Sequence, residues 1–172
     1  GSPYGYVAMG STIVCTVKAY CAVGGMSRKK ATEDFYFLQE LAKYCGVHTI
    51  PEILVQPSSR QISRVHLGTG FRMEQIQKGL NIHSLYYSEE AFFLLENWIN
   101  LGSNSRGMAL STLNRKITDL NPNLRDFLHD EGIEDVWVNL QNNTPSKFHF
   151  SKQFHRWFDG LKTIRLLKRF TL

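Results

Sequence analysis

Ile133-Glu134-Asp135-Val136-Trp137-Val138-Asn139-Leu140 reads with a period of two: Val136 and Val138 fall on one side and Trp137 on the other, as in a β-strand. Residues 141–146, Gln-Asn-Asn-Thr-Pro-Ser, are of turn-forming types. Residues 147–150 return, with Phe148 and Phe150 on one face. The stretch predicts a β-hairpin, and that reading sets the fold class, because the segments on either side of it are helical.

Upstream, Asn121-Pro122 combines an Asn cap with proline at the first helical position. Leu124, Phe127 and Leu128 form the inner face of that helix, and Gly132 ends it. Ser111 or Thr112 caps an earlier helix containing Leu113, Ile117 and Leu120. Two helices followed by a hairpin predict a winged-helix-like unit over residues 110–150, with 124–131 as its second helix and 141–147 as its wing tip. Downstream, a final helix begins at about Ser151 and carries the stripe Phe154, Trp157, Phe158, Leu161 and Ile164.

The first 25 residues also read as β. From 12 to 23 the odd positions Ile13, Cys15, Val17, Ala19, Cys21 and Val23 are all apolar, and Gly10-Ser11 turns a hairpin with residues 4–9. Thr32, with Glu33 and Asp34 in the first turn, opens a helix whose core stripe is Phe37, Leu38, Leu41 and Cys45 and which ends at Gly46. Residues 53–55 and 62–67 are short strand candidates, and residues 71–78 a short helix. Ser88, followed by Glu89 and Glu90, starts a helix with Ala91, Phe92, Leu94, Leu95 and Trp98 on a broad apolar face, ended by Gly102.

These elements amount to an α+β fold: a small mixed or antiparallel sheet with about five helices. The chain reads as a single compact domain over 1–172, with sub-lobes 1–102 (α+β) and 108–172 (helix-helix-hairpin-helix) on either side of the polar, glycine-rich stretch 102–107. A hydrophobic content of 42% over 172 residues is enough for a core, and 20% charged residues argue against extensive disorder. A net charge of +5 permits anionic partners without requiring them.

Cys15, Cys21 and Cys45 are an odd, dispersed set with no CxxC, which reads as buried thiols of an intracellular protein. The apolar stretch 6–23 is interrupted by Gly10, Lys18 and threonines, so no membrane partner is expected. Gly68-Thr69-Gly70 lacks the rest of a nucleotide-binding fingerprint, and no HExxH or nucleophile elbow occurs. His149 and His155 flank a junction without a third ligand, so no metal site is expected. The acidic pair Asp130-Glu131, near a helix C-terminus, is read as facing solvent. The chain is therefore read as a non-enzyme with no cofactor.

The sharpest physical signal lies at the C-terminal end. Lys147, Lys152, Arg156, Lys162, Arg165, Lys168 and Arg169 stand against Asp159 alone, an excess of six in a chain whose net charge is +5. Phe148, Phe150, Trp157 and Phe158 are interleaved with these cations. Cations bind phosphates, and exposed aromatics stack on bases, so these seven residues are the candidate nucleic-acid-binding set. The competing reading is a core helix whose outer face happens to be basic, its aromatics buried. A membrane-surface helix is a third.

Leu85-Tyr86-Tyr87-Ser88-Glu89-Glu90-Ala91-Phe92-Phe93-Leu94-Leu95-Glu96 resembles a segment of the structural, non-catalytic subunits of the tRNA-splicing endonuclease, where a leucine-rich strand is followed by Pro-Glu-Glu-Ala and an apolar helix. Ser88 stands where that pattern has proline, and Asn97-Trp98-Ile99-Asn100-Leu101 departs from its Gly-Xaa-Leu. The resemblance covers about 35 residues, roughly a fifth of the chain, around this segment. No residue matches the family's catalytic triad, and none is carried over. The resemblance implies a scaffold or RNA-positioning component of an RNA-processing complex, with RNA favoured over DNA, protein subunits as further partners and a nuclear location. The alternatives are an assembly scaffold using the N-terminal hairpin as a pairing edge, and a nuclease subunit whose site a partner completes.

Overall fold

The computed structural model describes residues 2–7, 12–28, 32–56, 78–79 and 86–171. The readings of residues 10–11, 57–77 and 80–85, including the strand over 62–67, Gly68-Thr69-Gly70 and most of the helix over 71–78, lie outside them. The chain divides into two compact units, one over Tyr4–Tyr86 and one over Tyr87–Leu172 together with residues 1–3.

Among the described residues there are eight helices and no strand: α1 (Val17–Ala22), α2 (Glu33–Tyr44), α3 (Glu89–Ser103), α4 (Leu110–Leu120), α5 (Pro122–Asp130), α6 (Ile133–Asn143), α7 (Lys147–Trp157) and α8 (Gly160–Thr171). The α+β expectation, with its small sheet, is overturned. The winged-helix-like reading goes with it, because the wing hairpin is the helix pair α6–α7.

Side-chain burial shows why. Ile133, Trp137 and Leu140 are buried at i, i+4 and i+7, the spacing of one helical face, whereas Val138 is 52% exposed. A strand would have placed Val136 and Val138 together, yet only Val136 packs against the core. Thr144-Pro145 breaks the helix, and Ser146 restarts it by accepting a hydrogen bond at Oγ from the amide of His149 at 3.2 Å. Phe148 and Phe150, expected on one face, are about 200° apart on a helix. Phe150 is fully buried and Phe148 is 77% exposed.

The expected single C-terminal helix is two helices. The break lies at Phe158-Asp159, where Asp159 Oδ1 accepts from the amides of Leu161 and Lys162 at 3.1 and 3.4 Å and so caps α8.

In the C-terminal unit, α3 packs against α4, α7 and α8, and α4 to α7 pack on one another in turn, with α4 also packing against α6. Ala91, Leu95 and Trp98 of α3 face this core. Trp98 meets Phe154 and Phe158 edge to face at 5.5 and 5.8 Å between ring centres. Two expected helix starts are observed. Ser88 Oγ accepts from the amide of Ala91 at 3.2 Å, and Asn121 Oδ1 accepts from Asn123 at 2.8 Å, with Pro122 first in α5. Gly102, expected to end α3, lies inside it. The loop after it is held by Gln141, whose side-chain nitrogen donates to Ser105 O at 3.0 Å and whose oxygen accepts from Gly107 N at 2.6 Å.

In the N-terminal unit the period-two run is not a strand. Thr16 Oγ1 accepts from Ala19 N at 3.1 Å and caps α1. Ala19 packs with Phe37 and Leu41 of α2, and Val23, four residues on, joins them. Cys15, Val17 and Cys21, which the strand reading put on the same face as Ala19, are exposed. The N-terminal hairpin therefore offers no pairing edge among the described residues. Residues 53–55 form no strand, and Ile53 is 84% exposed. The three cysteines are exposed and free rather than buried.

Candidate nucleic-acid interface

The seven candidate cations lie on two helices and meet two fates. On α8, Lys162, Arg165 and Arg169 reach back to the C-terminal end of α5. Arg165 Nη1 donates to both carboxylate oxygens of Glu131 at 3.1 and 3.3 Å. Lys162 Nζ lies 3.7 Å from the same carboxylate, and Arg169 Nη1 lies 3.8 Å from Asp130. Glu131, read as facing solvent, is 11% exposed at its side chain. A carboxylate at a helix C-terminus is disfavoured by the helix dipole, and these cations supply the compensation.

On α7, Lys147, Lys152 and Arg156 are exposed, as is Lys168 on α8. Among the described residues no acidic partner is found for Lys147, Lys152 or Lys168. Phe148, Lys152 and Arg156 recur every four residues and form one line along the outer face of α7. The other aromatics divide by the same geometry. Phe150, Phe154 and Phe158 are in the core, Trp157 is half-buried, and Phe148 stands out in solvent.

Beside that line runs a groove of about 400 Å³ between α6 and α7. Leu140 and Trp157 are among its apolar lining, and Asn139, Asn143, His149 and Gln153 supply polar groups. Lys162 Nζ sits 5.8 Å from the Trp157 ring centre, a cation–π contact at one side of the groove. The α6–α7 turn is held from α3's side by Arg106, which donates to Thr144 O at 3.1 and 3.2 Å and to Pro145 O at 3.2 Å. Of the groove residues, Arg156 was in the candidate set, whereas Asn139, Leu140, Asn143 and Gln153 were missed as site residues in the sequence. The available signal was the i, i+4 pairs Asn139/Asn143 and His149/Gln153, which mean something only once both segments are helices.

The charge is more divided than the whole-chain value suggests. Residues 87–172 carry eleven Lys and Arg against ten Asp and Glu, a balance of +1. Within that unit the excess of six from Lys147 onward is set against a deficit of five over residues 87–146. The unit is close to neutral rather than basic, with its cations concentrated after residue 146 and most of its carboxylates before it.

His155 of α7 points inward and is 5% exposed, and burial pushes its pKa below the ordinary 6.5. His149, by contrast, is exposed and lines the groove. Among the described residues no group of three or more His, Cys, Asp or Glu is placed to hold a metal ion, and no helix is long and apolar enough to cross a membrane. Comparison with protein-family models, with curated proteins and with solved structures finds no match to this chain.

Proposed function

We propose that this chain is a non-enzymatic nucleic-acid-associated module that positions RNA, or scaffolds its handling, within an RNA-processing complex. The observation that carries the reading is the exposed line Phe148–Lys152–Arg156 on α7, with Lys147 at its start. It places a solvent-facing aromatic ring between cations, as sequence-tolerant nucleic-acid binding requires. The cations on α8 that are paired with Glu131 and Asp130 contribute less, because a phosphate must compete with a carboxylate already in place. RNA is preferred to DNA, and a nuclear location to a cytoplasmic one, on the resemblance of residues 85–96 to the structural subunits of the tRNA-splicing endonuclease.

The test is fluorescence anisotropy of the whole chain with a labelled mixed-sequence RNA over a salt series. Affinity falls steeply with salt, and Lys147→Glu with Lys152→Glu lowers it at least about tenfold and flattens the salt slope by roughly two charges. No binding at low salt to RNA or DNA overturns the reading.

A second reading, a protein-assembly scaffold, is favoured by Phe92 and Phe93 on α3. They are 50% and 56% exposed beside Glu89, Glu90 and Glu96. It requires a molecular mass that rises with concentration and is reset by Phe93→Ser.

A further inference from the structure

We infer that the α6–α7 groove receives an unpaired nucleobase, so that the ligand of this face is single-stranded. The inference rests on the nucleic-acid reading above and narrows it to one class of ligand.

The groove matches a base in three respects. Leu140 and Trp157 offer apolar surface for the flat face of a base, and about 400 Å³ gives room for one. Asn139, Asn143 and Gln153 carry amide groups that both donate and accept, which is what the Watson–Crick edge of a splayed-out base needs. No acidic side chain lines the groove among the described residues, so nothing there repels the phosphates on either side of an inserted base.

Position adds a second argument. His149 and Gln153 line the groove and follow, one residue on, Phe148 and Lys152 of the exposed line, while Arg156 belongs to both. A strand running along α7 with its phosphates on Lys152 and Arg156 can therefore stack one base on Phe148 and turn a neighbour into the groove. An A-form duplex cannot do this. Its Watson–Crick edges are paired and its bases stacked, so no base is free to turn into the groove, and contact is limited to its backbone and shallow minor groove.

The experiment compares a labelled mixed-sequence single-stranded RNA of about a dozen nucleotides, within the usual site sizes, with its duplex and with the same strand carrying abasic positions. The single strand binds roughly tenfold tighter than the duplex, and the abasic strand loses most of that margin. Asn139→Ala with Gln153→Ala, both partly or fully solvent-facing positions, weakens single-strand binding several-fold while leaving the salt slope unchanged, because no charge is removed. Equal binding of strand and duplex, or an unaffected double variant alongside a clear loss on Lys147→Glu with Lys152→Glu, overturns the groove inference and leaves the nucleic-acid reading standing. Absence of all nucleic-acid binding at low salt overturns both.

Discussion

The ring of Phe154 occupies the space that a side chain at Gly102 would need. A Cβ on Gly102 would fall within the contact distance of three ring carbons, and Phe154 is fully buried, so the ring edge of Phe154 lies directly on the α3 backbone at this point. The ring also stacks on Phe158 and meets Trp98 edge to face, so it has nowhere to move.

Gly102→Ala should therefore destabilise the protein, although alanine is the better helix former. The helix-propensity gain is about 1 kcal/mol, and overpacking a filled core costs about 1–3 kcal/mol. A net loss of up to about 2 kcal/mol is expected from urea unfolding. Phe154→Leu in the same chain should recover part of it, giving a non-additive double-mutant cycle.

Ser88 links the two ends of the C-terminal unit. Its hydroxyl caps α3, and its amide donates to Thr171 Oγ1, in the last turn of α8, at 3.0 Å. Ser88→Ala should cost about 1 kcal/mol through the cap alone. Thr171→Val removes only the acceptor and should cost about as much as one unmade hydrogen bond, about 1 kcal/mol. Amide hydrogen exchange in α8 should rise in Thr171→Val and leave α5 unchanged.

Glu131 restrains the cations of α8. Glu131→Gln removes the carboxylate facing Lys162 and Arg165, and the cost to stability should be about 1–3 kcal/mol, since Arg165 is half exposed but Glu131 and Lys162 are mostly buried. If α8 lies within reach of a bound RNA backbone, affinity should rise and the salt slope steepen by one to two charges. An unchanged slope would confine the binding face to α7.

His155 makes stability depend on pH in a known direction. Burial lowers its folded pKa below the ordinary 6.5, and its Nδ1 has no hydrogen-bond partner among the described residues. Below that value the unfolded chain binds a proton that the folded chain resists, so stability rises with pH in this window. Its contribution is complete above about 6.5 and declines as pH falls from there toward the folded pKa. The urea midpoint should drop between pH 7.5 and 5, and His155→Gln should flatten that part of the profile. An equal drop in both proteins would place the effect elsewhere.

Much of the C-terminal unit was legible wherever a residue acts on its near neighbours. Ser88 and Asn121-Pro122 are capping chemistry within one turn, and each starts a helix as read. The sets Leu113/Ile117/Leu120 and Leu124/Phe127/Leu128 are helical periodicities, and all but Leu120, which is 39% exposed, are buried. The concentration of cations after Lys147 is a count. The errors fell where two periods fit one short run. Val136-Trp137-Val138 and the odd positions of 12–23 alternate as a strand does, and the same side chains also include helical sets: Ile133/Trp137/Leu140 and Ala19/Val23.

What the sequence by itself determined was the helix starts at Ser88 and Asn121-Pro122 and the inner face of α5. Both follow from hydrogen bonding and hydrophobicity over four or five residues. Only the tertiary structure decided between strand and helix at 133–150, because the choice depends on which long-range partner covers Trp137 and Phe150. Those two rings meet edge to face at 5.5 Å across α6 and α7. The same contact turns Phe150 inward and so leaves Phe148 outside with Lys152 and Arg156. The cations that face solvent are divided from those that Glu131 and Asp130 hold by pairings 31 to 39 positions apart along the chain, beyond the reach of any local rule.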